Sequence, residues 1–303
     1  MQFEVTILGS NGAVPAFDRH PTSQYIHYNG HGFIVDCGEG TQLQMARFGI
    51  RRARLDHVFI SHLHGDHFYG LLGLITSFNL NHREAPLHIY GHHGIEEIIA
   101  TQFKHSETVL KFPLVFHVVT ADQPRLIYED AMLTVTTIPL LHRIPTTGFL
   151  FREKPGLRKM RTEKLAEYRI PVADIPAIKA GADFIAADGK VISNHELTLP
   201  PPPPRSYAFC SDTAYHEQIV PQLAEVDLLY HEATFIEEHA QRASETMHST
   251  ARQAALIAQM AGVKKLLLGH FSARYEQLDT LLQEAKAVFP NAELALEGTT
   301  FAL

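Results

Sequence analysis

The chain lacks tryptophan and has two cysteines among 303 residues. Cys37 and Cys210 lie far apart in a chain long enough to build a core without covalent help. Both read as buried, reduced strand residues rather than as a disulfide. No apolar run reaches the roughly 18–20 residues that cross a bilayer. The longest, FYGLLGLITSFNL (68–80), is interrupted by Ser77 and Asn79. The first residues, MQFEVTILGS, carry no basic segment and no cleavage-type site, and read as a strand. These absences point to a cytoplasmic protein with no membrane partner. Positive charge is also in deficit: 33 acidic against 26 basic residues give a net charge of −7. Taken alone, that argues against a broad nucleic-acid surface.

What the chain has in excess is histidine, 20 residues, and their clustering is informative. The stretch SHLHGDH (61–67) packs His62, His64, Asp66 and His67 into six residues. Such groups are buried together only when they bind cations or pair among themselves. Imidazole plus carboxylate without thiolate suits zinc, with manganese or iron as competitors. Gly65 lets the backbone turn between the two ligand pairs.

Around this motif the first half reads as short strands with occasional helices: FEVTILG (3–9), SQYIHY (23–28), HGFIVDC (31–37), LDHVFIS (55–61), LHIYG (87–91) and MLTVTTIPL (132–140). Asn29-Gly30 is a two-residue hairpin turn. GTQLQMARFG (40–49) is a short helix closed by glycine. After residue 205 strands and helices alternate. SYAFCSD, VDLLYHE (226–232) and KKLLLGH (264–270) are strands; STARQAALIAQMAG (249–262) and YEQLDTLLQEAKAVF (275–289) are helices. His142, Asp212 and His270 each end an apolar strand run. If Asp212 bridges, His62, His64 and His142 complete one metal and Asp66, His67 and His270 the other. An open pair of this kind is built for displacement at phosphorus or for carbonyl hydrolysis.

Residues 152–204 break the rhythm, being too long for a loop. Their first part (152–169) holds seven Lys/Arg against three Glu, net +4, which leaves −11 on the remainder. Pro200 to Pro204 form a stiff spacer.

SHLHGDH resembles the signature of the metallo-β-lactamase superfamily. The fold this implies is α/β (α+β): an αββα sandwich of two mixed sheets flanked by helices. DCGEGTQ (36–42), HEATF (231–235), HST (248–250) and GHFSARY (269–275) are similar, in that order, to ribonuclease Z, the endonuclease family that matures the 3′ end of tRNA. The resemblance covers nearly the whole chain. It implies two zinc ions on the ligand set above, although Mn2+ or another divalent ion would also fit. Asp66 would act as both ligand and base, and His248, oriented by Glu232, would protonate the leaving sugar oxygen. Asp36 would brace the ligand loop, and Ser272 and Arg274 would touch phosphate. The products would be a tRNA 3′-hydroxyl and a 5′-phosphorylated trailer.

The resemblance also divides the chain. Residues 1–151 and 205–303 would form the catalytic domain. Residues 152–204 would be an inserted flexible arm that holds a tRNA precursor, usually across a homodimer, with Arg158, Lys159, Arg161 and Lys164 as contacts. A local basic arm would reconcile an acidic body with RNA. Two departures stand out. The arm's IPVADIPAIKAG lacks the family's Gly-Pro pair. The loop PAFDRH keeps Pro15 and Arg19 of the family's Pro-x-Lys-x-Arg-Asn but places Phe17 and His20 at its lysine and asparagine. The main alternative is a small-molecule phosphodiesterase with the same centre, acting on a cyclic nucleotide or nucleotide ester, for which the arm would be dispensable.

Overall fold

The computed structural model describes residues 2–303. Strands β1 (Phe3–Gly9), β2 (Ser23–Tyr28), β3 (His31–Cys37), β4 (Leu55–Phe59), β5 (Leu87–Gly91) and β6 (Leu114–Val118) lie side by side in that order. The first three are antiparallel and β3 to β6 run parallel. Strands β7 (Leu126–Glu129), β8 (Leu133–Leu140) and β9 (Thr146–Glu153) begin a second sheet. Four short strands then pair among themselves: β10 (Lys159–Met160) with β13 (Thr198–Leu199), and β11 (Phe184–Ile185) with β12 (Val191–Ile192). Strands β14 (Ser206–Cys210), β15 (Leu228–Glu232), β16 (Lys265–Gly269) and β17 (Ala292–Leu294) complete the second sheet, in the order β17-β16-β15-β14-β9-β8-β7. The last strand, β18 (Thr300–Ala302), returns to the first sheet antiparallel to β1.

Alternation along the strands sorts side chains onto two faces. On the first sheet Phe33 and Phe59 face inward. Phe33 meets Phe151 at 5.9 Å between ring centroids, and Phe59 meets Phe149 and Phe151, both at 5.4 Å. Their neighbours Ile34 and Val58 face outward, into a buried cluster with Phe68, Leu71, Leu74 and Ile75 of the helix Gly65–Leu80. On the second sheet Ala208, Leu229, Leu266 and Leu268 pack against Ala254, Ala255, Ile257 and Ala258 of the helix Ala251–Ala261. Small side chains on that helix allow close packing. The resulting layer order is helix, sheet, sheet, helix, the layering that the resemblance implied. Each fully buried phenylalanine contributes about 1.5–3 kcal/mol.

Local chemistry sets the turns and caps. Asn29 and Gly30 both take positive φ (45° and 92°), and Tyr28 pairs with His31, so a two-residue turn of the primed type joins β2 and β3. Thr250 and Gln253 form a capping box, and Gly262 closes that helix at φ 61°. The final helix differs from expectation. It spans Asp279–Lys286 rather than 275–289, because the carbonyls of Tyr275 and Glu276 accept hydrogen bonds from Arg19 instead of starting a helical ladder. Cys37 and Cys210 are buried and unpaired, and burial pushes the Cys37 thiol up to about 12.

The chain divides into two compact units: residues up to 128, 135–151 and 206–303, and residues 129–134 with 152–205. The second has its own small core of Ile170, Ile178, Phe184, Ile192 and Leu197. Asn194 ties it together, donating from its side-chain amide to the carbonyls of Ile178 (2.6 Å) and Ala182 (2.7 Å). Pro200 to Pro204 carry no regular element.

Candidate active site

All seven expected ligands come together in the first unit, at the carboxyl ends of strands or just beyond them. Residues 60–64 leave β4 without regular structure, and the helix beginning at Gly65 carries Asp66 and His67 in its first turn. His142 follows β8, Asp212 lies two residues beyond β14, and His270 follows β16. Asp212 and His270 sit at φ 60° and 56°, and Asp36 beneath them at 56°. Gly12 is required by close approach, since a Cβ there would stand 2.5 Å from His270 Cε1.

Asp212 divides the constellation. Its Oδ2 faces His62 Nε2 at 3.5 Å and His142 Nε2 at 3.7 Å, while His64 Nδ1 lies 2.9 Å from His62 Nε2 and 3.3 Å from His142 Nε2. Its Oδ1 faces His67 Nε2 at 3.1 Å and His270 Nε2 at 3.0 Å. Asp66 Oδ2 stands 3.4 Å and 3.7 Å from the same two nitrogens. The donor atoms of His62, His64, His142 and Asp212 all lie within 4.8 Å of one another, as do those of Asp66, His67 and His270, and the Asp212 carboxylate faces both sets. His67 Nε2 and His270 Nε2 are buried with no hydrogen-bond partner. Buried polar atoms left this way call for an explanation, and a cation on each side of Asp212 provides one.

The electrostatics agree. Burial opposes charge on His62, His64 and His142 and lowers their pKa values, keeping the imidazoles in the neutral form that binds metal. Burial also works against a charge on His67, yet Asp212, Asp66 and Asp36 surround it and hold its pKa well above the usual value. Burial alone would raise the pKa of Asp212, but His270, His67 and His62 hold it well below the carboxylate range. The pocket demands positive charge.

Other contacts hold the rings of His67, His142 and His270 in place through the second nitrogen. His67 Nδ1 meets Asp36 Oδ2 at 2.6 Å, and Asp36 also accepts from the Ser61 amide (2.7 Å) and hydroxyl (2.8 Å). His142 Nδ1 donates to the Met247 carbonyl at 3.0 Å, which fixes its tautomer and leaves Nε2 for a ligand. His270 Nδ1 lies 2.9 Å from Thr234 Oγ1. Asp66 accepts from the Ala13 amide at 2.8 Å. Ser61, Thr234, Gly12 and the backbone donors escape a reading of the sequence, because their role is set by distant strands. Thr234 and Ser61 carried one usable signal each, their places inside HEATF and SHLHGDH.

Glu232 is fully buried and committed. It accepts from the Thr213 amide (2.6 Å), the Ser249 amide (3.0 Å) and the Thr234 hydroxyl (2.5 Å), and pairs with His248 Nδ1 at 3.0 Å. Burial works against protonated His248, but the Glu232 charge and hydrogen bond prevail and raise its pKa to about 9. Glu232 and His248 also lie near Asp212 and His270, within a third possible donor group. With its oxygens already engaged by four donors, Glu232 orients His248 rather than offering a ligand. His248 opens onto a cavity of about 580 Å³ lined also by His64, Asp66, His142 and His270.

Ser272 and Arg274 line a smaller cavity of about 190 Å³ with His248 and His270. Arg158, Lys159, Arg161 and Lys164 belong to the second unit. Two of them have partners there: Arg158 donates to Thr198 Oγ1 at 2.6 Å, and Lys164 to Glu167 at 2.8 Å. Arg19 holds Asn11 and two carbonyls, and His20 meets Glu297 at 3.0 Å, so these two loop residues serve the fold. Among the described residues, no helix is long and apolar enough to cross a membrane.

A family model described as Anti-Pycsar protein Apyc1 matches residues 3–155. Ribonuclease Z of Bacteroides fragilis is 47% identical over 302 residues, covering 100% of this chain and 99% of that one. Ribonuclease Z of Bacteroides thetaiotaomicron is 48% identical over 297 residues, covering 98% and 94%. The crystal structure of human tRNase Z, short form, superposes with a TM-score of 0.71 at 28% identity over 98% of both chains. The chain belongs to the ribonuclease Z family, metal-dependent endoribonucleases on the metallo-β-lactamase fold.

Proposed function

We propose that the protein is a zinc-dependent endoribonuclease that removes the 3′ trailer from tRNA precursors, leaving a tRNA 3′-hydroxyl and a 5′-phosphorylated trailer. The observation that carries this reading is the split of Asp212 between two donor groups beside a separately anchored His248–Glu232 pair. His62, His64 and His142 would hold one ion, Asp66, His67 and His270 the other, with Asp212 shared. Divalent cations there supply positive charge against the phosphate and make water more acidic. Asp66, fixed by the Ala13 amide, is placed to orient the attacking water and take its proton. His248, charged beside Glu232, gives its Nε2 proton to the departing 3′ oxygen. Thr234 couples the two halves, touching both Glu232 and the His270 ring.

The unit of residues 152–205 gives the tRNA body a separate foothold. Its exposed Lys159 and partly exposed Arg161, with no carboxylate partner among the described residues, are the better candidates for phosphate than the paired Arg158 and Lys164. A cytoplasmic homodimer, each subunit offering this unit to substrate at the other's centre, completes the reading. Incubation of the zinc-loaded protein with a tRNA precursor, with both new ends mapped, tests it. Robust cleavage of a cyclic nucleotide with none of the precursor would favour a small-molecule phosphodiesterase instead.

A further inference from the structure

Three cavities follow one another through residues they share. The central one, at the donor groups, meets the 190 Å³ cavity at His248 and His270. On another side it meets a cavity of about 860 Å³ at His142 and Arg143. That third cavity is walled by Leu63, Val118, Ala121, Ile144 and Pro145, with His93, Thr120 and Asp122 supplying polar edges. None of these residues has a part in the chemistry described so far. Resting on the trailer-removal reading, we propose that this cavity seats the nucleoside immediately downstream of the scissile phosphate, with Arg143 at its mouth holding the phosphate.

Three considerations support this. His248 protonates the 3′ oxygen of the upstream nucleoside, so that nucleoside lies on the His248 side, toward Ser272 and Arg274. His248 does not line the large cavity, which leaves it for the strand's departure beyond His142. Its volume falls within the roughly 300–1,000 Å³ of small-ligand pockets. Its apolar walls suit the face of a base, while His93, Thr120 and Asp122 suit its edge. Arg143 is exposed, donates to the Glu245 carbonyl at 3.1 Å, and has no carboxylate partner among the described residues. A guanidinium carries five donors, so most remain for a phosphate.

The test compares an intact precursor with one whose first trailer nucleotide is abasic. The wild-type enzyme should lose at least tenfold in kcat/KM on the abasic precursor. Ala121→Trp, which fills the cavity from a partly exposed loop, should slow the intact precursor tenfold and leave the abasic one unchanged. The variant's melting temperature and bound-metal content should match wild type. Calorimetry should show a 5′-phosphorylated trinucleotide binding tenfold more weakly to the variant. Equal wild-type cleavage of intact and abasic precursors overturns the proposal and leaves the trailer reading standing. No wild-type cleavage of either precursor sinks the trailer reading itself. If Ala121→Trp melts early or holds no metal it is misfolded, and the wild-type comparison decides alone.

Discussion

Replacing His248 by alanine separates proton donation from metal-centre chemistry. Glu232 would lose its hydrogen bond to the imidazole at 3.0 Å but keep the Thr213 amide, the Ser249 amide and the Thr234 hydroxyl. The buried carboxylate therefore stays satisfied. The stability cost should stay near that of one charge-assisted hydrogen bond, about 1.5–3 kcal/mol. Catalysis should suffer more. General acid catalysis is worth about 10²–10⁴ in rate, or about 2.7–5.4 kcal/mol of barrier. That loss should appear in kcat for a tRNA precursor, whose sugar alkoxide leaves poorly unprotonated. A nitrophenyl phosphodiester, whose leaving group needs no proton, should slow by less than about threefold. Metal content must be measured in parallel, because His248 lies in a donor group with Asp212 and His270. Equal slowing of both substrates, or loss of bound metal from the variant, would refute the assignment of His248 as the acid.

Further predictions address the supporting residues. Asp36→Asn should weaken metal binding by about 10–100-fold, measured by chelator competition, because His67 loses the carboxylate that orients it. Gly12→Ala should lower hydrolysis of both substrates together, since the new Cβ overlaps the His270 ring; full activity would show that the ring can move aside. Deleting residues 155–200 should abolish precursor cleavage and spare hydrolysis of a small aryl phosphodiester; equal loss of both would end the separate-foothold reading. Stripping metal with a chelator should lower the melting temperature, by the equivalent of about 2.7 kcal/mol where metal stood at 100 times its dissociation constant.

The centre was legible because its chemistry is dense. His62, His64, Asp66 and His67 sit within one turn of chain, and His142, Asp212 and His270 each end a strand. Strand termini in a layered sheet protein converge on one edge, so spacing along the chain predicted proximity in space. The orienting groups were not legible. The Met247 carbonyl and the Ala13 amide have no side-chain signature, and Ser61 looks like any serine until Asp36 is placed 2.7 Å from its amide. Arg19 and His20 stood out only by their places in the PAFDRH loop, and both are spent on the fold. The basic segment was seen as a charge imbalance. Its apolar residues are too widely scattered along the chain to announce the small core they form.

The left-handed backbone at Asp36, Asp212 and His270 has an evolutionary consequence. Each costs about 1 kcal/mol or more, although aspartate and histidine tolerate that conformation better than most residues. Glycine would relax the backbone at all three positions, but at Asp36 it would leave the buried Ser61 amide and His67 ring without their acceptor, at about 1–3 kcal/mol for each. The strain is thus outweighed by the contacts that the same side chains make. A descendant of this fold that lost its metal centre would be expected to keep Asp36, whose donors are buried, longer than His270.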